Sequence, residues 1–247
     1  MVHHNLIKAL PDKDDAEIIK IEKSYFRHLS DYFIETIKGL TLSKNGFAKR
    51  YRLINPEIFH QYYKEKKSII IYCTHYANWE WFSSLPIYIP HQMCALYQPQ
   101  AAKVVDHITK KGRERFGVIA IESKKAFREL SHFANKNVLT ATLVLGDLRP
   151  FPKSTRYWIK FLGLDTTFTI GADRIAKKLN QVVIFPHVRK IKRGYYEVEF
   201  KLITDTIEDI ESNKVVDMYA EQLENVIREK PDFWLWSHNR WKHKKPA

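Results

Sequence analysis

Apolar residues at Ile18, Ile21, Tyr25, Leu29, Tyr32, Phe33, Ile37 and Leu40 punctuate residues 14–40, with charged residues between them. That spacing is helical and Pro11-Asp12 introduces it, so a long amphipathic helix is predicted. Two readings of it stand: a helix packed on the core, and one whose aromatic-rich face also meets a membrane surface. Residues 215–229 repeat the pattern with Val215, Tyr219, Leu223, Val226 and Ile227, predicting a helix that stops before Pro231. Between these two helices short apolar, often β-branched runs read as strands, at residues 68–73, 93–97, 118–121, 139–145, 182–185 and 195–202. Helical patterns at 101–116, 125–134 and 171–179 fall among them. Alternating β and α elements predict an α/β fold with a mostly parallel central sheet flanked by helices. No repeat or low-complexity linker interrupts the chain, so residues 1–247 read as a single domain. Residues 1–45 form its N-terminal amphipathic helical region, and 231–247 a basic, tryptophan-rich tail.

Composition narrows the class. With 247 residues, 45% of them apolar, the chain can bury a full core and is not disordered. Its eight glycines form no G-x-G-x-x-G, which argues against a dinucleotide or P-loop site. Cys73 and Cys94 have no metal-ligand spacing and sit in apolar runs, so they read as buried thiols in a reducing compartment. No apolar run is long enough to span a bilayer, and no signal-peptide core is visible, which favours the cytoplasmic side. The net charge of +13 implies an anionic partner: nucleic acid, a phosphorylated lipid, an acidic leaflet or an acidic carrier protein.

Candidate chemistry lies where the run 68–73 ends, in Thr74-His75-Tyr76-Ala77-Asn78-Trp79-Glu80. His75 falls just past a buried strand, where open α/β sheets place their ligand crevice. On one regular helix His75 and Glu80 would lie about 140° apart. They meet only if His75 occupies a strand-to-helix turn and Glu80 the helix that follows. An imidazole base oriented by an acid is the working half of a nucleophile-activating dyad; a chance spacing is the plain alternative. Cys73, two residues from His75, is a second candidate nucleophile, although strand alternation points it into the core. In the tail, Trp234, Trp236 and Trp241 interleave with basic residues. That mixture suits a membrane interface or stacking on single-stranded nucleic acid, with tryptophans packed on the domain as the plain reading for at least two of them.

Four blocks in order resemble the late acyltransferases of lipid A biosynthesis, the lauroyl/myristoyl-transferase family within the glycerolipid acyltransferase superfamily. The block 74–80 is similar to that family's G-H-Y-G-N-W-E, which carries an H-x-x-x-x-[D/E] signature, and Lys111-Gly112-Arg113-Glu114-Arg115-Phe116-Gly117 to its R-E-R-F-G. The third block is Gly146-Asp147 followed by Phe161-Leu162-Gly163-Leu164-Asp165-Thr166 and Gly171-Ala172-Asp173-Arg174-Ile175-Ala176. The fourth, Trp234-Leu235-Trp236-Ser237-His238-Asn239-Arg240-Trp241-Lys242, is close to the closing W-L-W-x-H-x-R-W-K. Three features depart from the pattern. Family members usually begin with a membrane-spanning helix ahead of the region that looks like residues 2–11, and here Met1 directly precedes it. Asp147-Leu148 stands where Asp-Gln is common, and Thr74 and Ala77 stand at glycine-type positions.

The resemblance implies transfer of a fatty acyl chain from acyl carrier protein to a hydroxyl of a lipid A precursor. His75 would act as base and Glu80 would orient it. Arg113, Arg115, Asp147 and Arg149 are the implied substrate-binding residues; surface charges or a turn cap are their plain alternatives. No metal or cofactor is implied beyond acyl-ACP or acyl-CoA as co-substrate. The implied partners are acyl carrier protein, an anionic phosphorylated glycolipid and a membrane surface, with no nucleic acid. The implied location is the cytoplasmic face of the inner membrane, held peripherally. The rivals are acyl transfer to a lysophospholipid or aminolipid, a hydrolase using water, and a non-catalytic nucleic-acid-binding protein.

Overall fold

Ile69-Ile70-Ile71-Tyr72-Cys73 is buried at every position, which is what a strand covered on both faces of an α/β sheet requires. The computed structural model describes residues 1–98, 112, 114–150 and 156–245. In chain order its principal elements are α1 (Val2–Ala9), α2 (Asp15–Gly39), α3 (Lys44–Arg50), β1 (Tyr51–Leu53), α4 (Glu57–Lys64), β2 (Ile69–Cys73), β3 (Gln92–Tyr97) and β4 (Ile119–Glu122). There follow α5 (Ala126–Asn135), β5 (Thr140–Leu145), β6 (Arg156–Phe161), β7 (Leu164–Thr169), α6 (Gly171–Lys178), β8 (Val182–Lys192), β9 (Tyr195–Thr204) and α7 (Lys214–Glu229).

Seven strands form one sheet in the order β1-β9-β8-β2-β5-β3-β4, parallel except for the β8–β9 pair. The predicted α/β class and mostly parallel sheet are therefore the observed ones, with helices flanking it. β2 lies between β5 and β8, pairing Ile69–Cys73 with Ala141–Leu145 in register. The carboxyl ends of β2 and β5 thus lie side by side, although 72 residues separate His75 from Asp147.

Several elements differ from expectation. β8, expected over 182–185, runs on to Lys192 and turns through Gly194 into β9, because its far end, Arg189-Lys190-Ile191-Lys192, carries charges that an apolar-run criterion passes over. β6 and β7 form a second hairpin whose turn, Leu162-Gly163, has φ of +49° and +75°. That turn requires two left-handed residues, and Glu224 Oε2 accepts the Leu162 N–H at 2.6 Å to hold it. The helix read over 101–116 lies almost wholly outside the described residues. In α2 the capping box of Asp14 and Glu17 fixes the start. Ile18, Ile21, Tyr25 and His28 are buried, but Phe33 and Ile37, counted with them by spacing, are 59% and 68% exposed.

His28 of α2 packs its ring on Phe233 at 4.6 Å, and Nε2 donates to the Ala77 carbonyl at 3.3 Å. Burial, reinforced by the Lys190 charge, lowers its pKa from 6.5 to about 4. Because the folded state binds this proton less readily, His28 contributes stability above pH 6.5 that is lost as pH falls toward 4. The loss amounts to about 3 kcal/mol from the size of the shift. Urea midpoints compared at pH 7.5 and 4.5 should show a flatter pH dependence in His28→Gln than in wild type; equal slopes would contradict the assignment.

Candidate active site

After Cys73 the chain leaves the sheet through a turn that must be tight. Ala77 adopts φ +53°, a left-handed conformation that favours glycine, and its N–H donates to the Phe233 carbonyl at 2.9 Å. Asn78 then caps a 3₁₀ segment, Trp79–Ile87, by accepting from Trp81 N, while its amide donates to the buried Glu35 Oε2 at 2.7 Å. His75 is held at the head of this turn, 14% exposed, with the Trp79 ring against its own at 5.2 Å.

The carboxylate on the histidine is Asp147. His75 Nδ1 and Asp147 Oδ1 are 2.7 Å apart. Oδ2 of Asp147 accepts three more hydrogen bonds: His75 N at 3.0 Å, Thr74 Oγ1 at 2.9 Å and Trp234 Nε1 at 2.9 Å. Asp147 is wholly buried, and burial alone would raise its pKa. The His75 charge and the donors from His75 and Trp234 outweigh burial and hold the carboxyl at about 2, so it is ionised at neutral pH. With Nδ1 committed to this carboxylate, Nε2 is the nitrogen that can take a proton.

This corrects the sequence reading of Glu80 as the ring's orienting acid: on Nδ1 that position belongs to Asp147. The physical reason is the sheet order, which sets the ends of β2 and β5 side by side. Glu80 lies in the 3₁₀ segment, in the wall of a small, largely apolar pocket with Trp79, Phe82, Met93, Leu96 and Leu143. Arg149 does reach the site. It lines the cleft beside His75, its N–H donates to His238 Nε2 at 3.1 Å, and its guanidinium donates to the Asn239 carbonyl at 3.0 Å. Arg115 points elsewhere, donating to the carbonyls of Gly39 and Leu42 near the end of α2. Those carbonyls are left free where the helix stops, and a guanidinium satisfies them. Arg113 lies outside the described residues. Cys73 is buried and its thiol is pushed well up by burial, which removes it as a nucleophile.

Of the three readings of the tail, the structure shows the one in which its tryptophans pack on the domain, and there they frame the dyad. Trp234 and Trp236 are buried, Trp234 donates to Asp147, and Trp241 donates to Thr166 Oγ1 at 2.9 Å. Leu235 N donates to the His75 carbonyl at 3.1 Å, so tail and turn hold each other. Arg240 is 2% exposed, donates to the Thr167 carbonyl at 2.6 Å and lies over the Phe168 ring at 4.5 Å. Burial lowers its pKa to about 10 against the opposing pull of the Asp147 carboxylate. A buried cation thus feels the charge of the buried anion. His238 is lowered to about 4 by burial, then by Arg149, so at neutral pH it is the unprotonated acceptor that Arg149 N needs.

His75, Asp147's neighbour Gly146 and the ends of β3 and β5 border a cleft of about 590 Å³. Leu96, Tyr97, Val144, Leu145 and Ile170 give it apolar walls, and Arg149 and Arg174 supply positive charge. Arg174, on α6, was visible only as part of a sequence block. Among the described residues no group of three or more His, Cys, Asp or Glu side chains gathers as a metal site.

Gly146 sets how close the two strands' ends come. A Cβ there would fall 2.9 Å from Tyr72 Cζ and closer still to Cε2, and Tyr72 cannot retreat because it stacks on Tyr219 at 3.7 Å. Gly146→Ala is expected to destabilise the fold by about 2 kcal/mol and to displace Asp147. Thermal melts and an activity assay on the folded fraction check this; wild-type values in both would contradict it.

Fold and site together define an α/β protein with a histidine held on a buried carboxylate at the carboxyl ends of parallel strands, open to a basic, apolar-walled cleft. The chain belongs to the bacterial lipid A biosynthesis acyltransferase family, whose model matches residues 1–243. It is accordingly an acyltransferase of lipid A biosynthesis. No curated protein matches the chain.

Proposed function

We propose that the protein moves a fatty acyl chain from acyl carrier protein to a hydroxyl of a phosphorylated lipid A precursor, at the cytoplasmic face of the inner membrane. The observation that carries this reading is the 2.7 Å His75–Asp147 pair in the wall of a cleft that also holds Arg149 and Arg174. An alcohol is a weak nucleophile at neutral pH, so a base must take its proton as it attacks. Nε2 of His75 removes that proton while the oxygen bonds to the thioester carbonyl carbon. Asp147, ionised and fixed by four donors, stabilises the imidazolium that results. The tetrahedral oxyanion then collapses, the C–S bond breaks, and the imidazolium returns its proton to the departing thiolate. Arg149 and Arg174 are the described groups suited to the acceptor phosphate or the oxyanion, because guanidinium forks match such oxygens. Arg113 joins them on the resemblance alone, and Glu80 borders the apolar pocket beside the base. The net charge of +13 favours two anionic partners, carrier protein and phospholipid-like acceptor.

Labelled acyl carrier protein and a tetra-acylated, Kdo-bearing lipid A precursor in mixed micelles should yield a penta-acylated product. Acyl-CoA in place of the carrier protein should be the poorer donor. Removing the acceptor's phosphates is expected to raise KM about tenfold with kcat nearly unchanged, the mark of uniform binding. Transfer only to a lysophospholipid or aminolipid, or release of free fatty acid alone, would overturn the acceptor assignment.

A further inference from the structure

Ile19, Phe26, Phe33, Ile34 and Ile37 of α2 are 44%, 47%, 59%, 56% and 68% exposed. At about 100° per residue Ile19, Phe26, Phe33 and Ile37 fall within about 40° of one another, on a stripe about 27 Å long. The helix's buried residues, Ile18, Ile21, Tyr25 and His28, occupy the opposite side. α2 is therefore apolar on two faces, and only one of them is covered by the core. An exposed apolar stripe of this length is a feature of interaction surfaces rather than of plain solvated helices.

The charges around the stripe show what it fits. Exposed Lys20, Lys23, Arg27 and Lys38 flank it, and none has an acidic partner among the described residues. The helix's acids are otherwise engaged: Glu17 with Lys13, Glu22 with His3, Asp31 with Lys190 and Arg193, and Glu35 buried. Asp15 lies in the first turn, before the stripe begins. An apolar face edged by unpaired cations matches an anionic bilayer surface, where rings enter the acyl boundary and cations meet lipid phosphates. Among the described residues no helix is long and apolar enough to cross a membrane, so a surface-lying helix is the mode this stripe offers.

We propose that the outward face of α2, centred on Phe26, Phe33 and Ile37, docks the protein on an anionic lipid bilayer. The face is coupled to the site. Phe33 meets Tyr32 edge-on at 5.6 Å, Tyr32 stacks on Trp79 at 4.1 Å, and Trp79 meets the His75 ring at 5.2 Å. Docking would thus hold the base at a fixed place relative to the leaflet that carries the acceptor, and to this extent the proposal rests on the lipid-acceptor reading.

The test is flotation of the full chain, without acyl donor, on vesicles of phosphatidylethanolamine and phosphatidylglycerol. The combined variant Phe26→Ser, Phe33→Ser, Ile37→Ser should lose at least about 30-fold in partitioning. Lys20→Gln, Lys23→Gln and Arg27→Gln should each cost about fivefold on these vesicles and little on neutral phosphatidylcholine. Turnover of detergent-dispersed acceptor should be unchanged in the three cation variants and in the double variant Phe26→Ser, Ile37→Ser, which leave the Phe33–Tyr32–Trp79 ring contacts intact, so a failed docking claim is separable from a failed acyltransferase claim. Wild-type flotation by the triple variant would overturn the proposal. So would a wild-type dimer, seen by sedimentation, that the triple variant converts to monomer, since the stripe would then be a contact between two copies.

Discussion

Asp147→Asn is expected to lower kcat for acyl transfer by about 10³–10⁴-fold. The carboxylate accepts from His75 Nδ1, His75 N, Thr74 Oγ1 and Trp234 Nε1, and all four partners are donors as the site stands. An amide of the same shape brings one oxygen and one NH₂ group to that cage. If the oxygen faces His75, the NH₂ meets the other donors. If the NH₂ faces His75, it selects the tautomer with the proton on Nε2, which cannot act as base. The negative charge that stabilises the imidazolium is lost either way. The variant is also expected to be about 2 kcal/mol less stable, because a buried donor is left without an acceptor. Single-turnover rates measured on protein shown to be folded separate the two effects. A rate within tenfold of wild type would remove Asp147 from the mechanism.

The sheet was legible in the sequence because its central strands are long apolar runs. Residues 69–73 and 140–145 have the composition that double-sided burial requires, and α2 and α7 show helical periodicity over several turns. The β6–β7 hairpin was not read because residues 156–161 mix Arg, Lys and aromatics, and the Leu162-Gly163 turn lacks the usual asparagine. Its signal was present in the alternation around that glycine.

At the site the sequence located His75 but not its partner on Nδ1. Glu80 is five residues away and drew the assignment by nearness along the chain. Asp147 becomes adjacent only through the order of strands, and order is not encoded in any single run of residues. Trp234 and Arg240 are further still. Their mixture of rings and cations fits a surface and a packed tail alike, and only the packing of the tail on the β2 turn shows that two of its tryptophans, and with them one arginine, are interior groups beside the site. In α2 both readings stay open from the sequence, because apolar spacing cannot distinguish a face that meets the core from one that does not.

His75→Ala removes the proton acceptor itself, and it leaves Asp147 with the Thr74 and Trp234 donors and the His75 backbone N–H, so the cage around the carboxylate is largely kept. The fold should therefore survive while base assistance, worth about 10²–10⁴-fold, disappears. The decisive measurement is the initial rate of acyl transfer from labelled acyl carrier protein to the Kdo-bearing lipid A precursor, for wild type and His75→Ala at equal folded concentration. A wild-type rate that falls at least about 100-fold in the variant, with KM for the acceptor little changed, is the predicted result. Equal rates in the two proteins would show that the transfer proceeds without His75 and would contradict the mechanism at its first step.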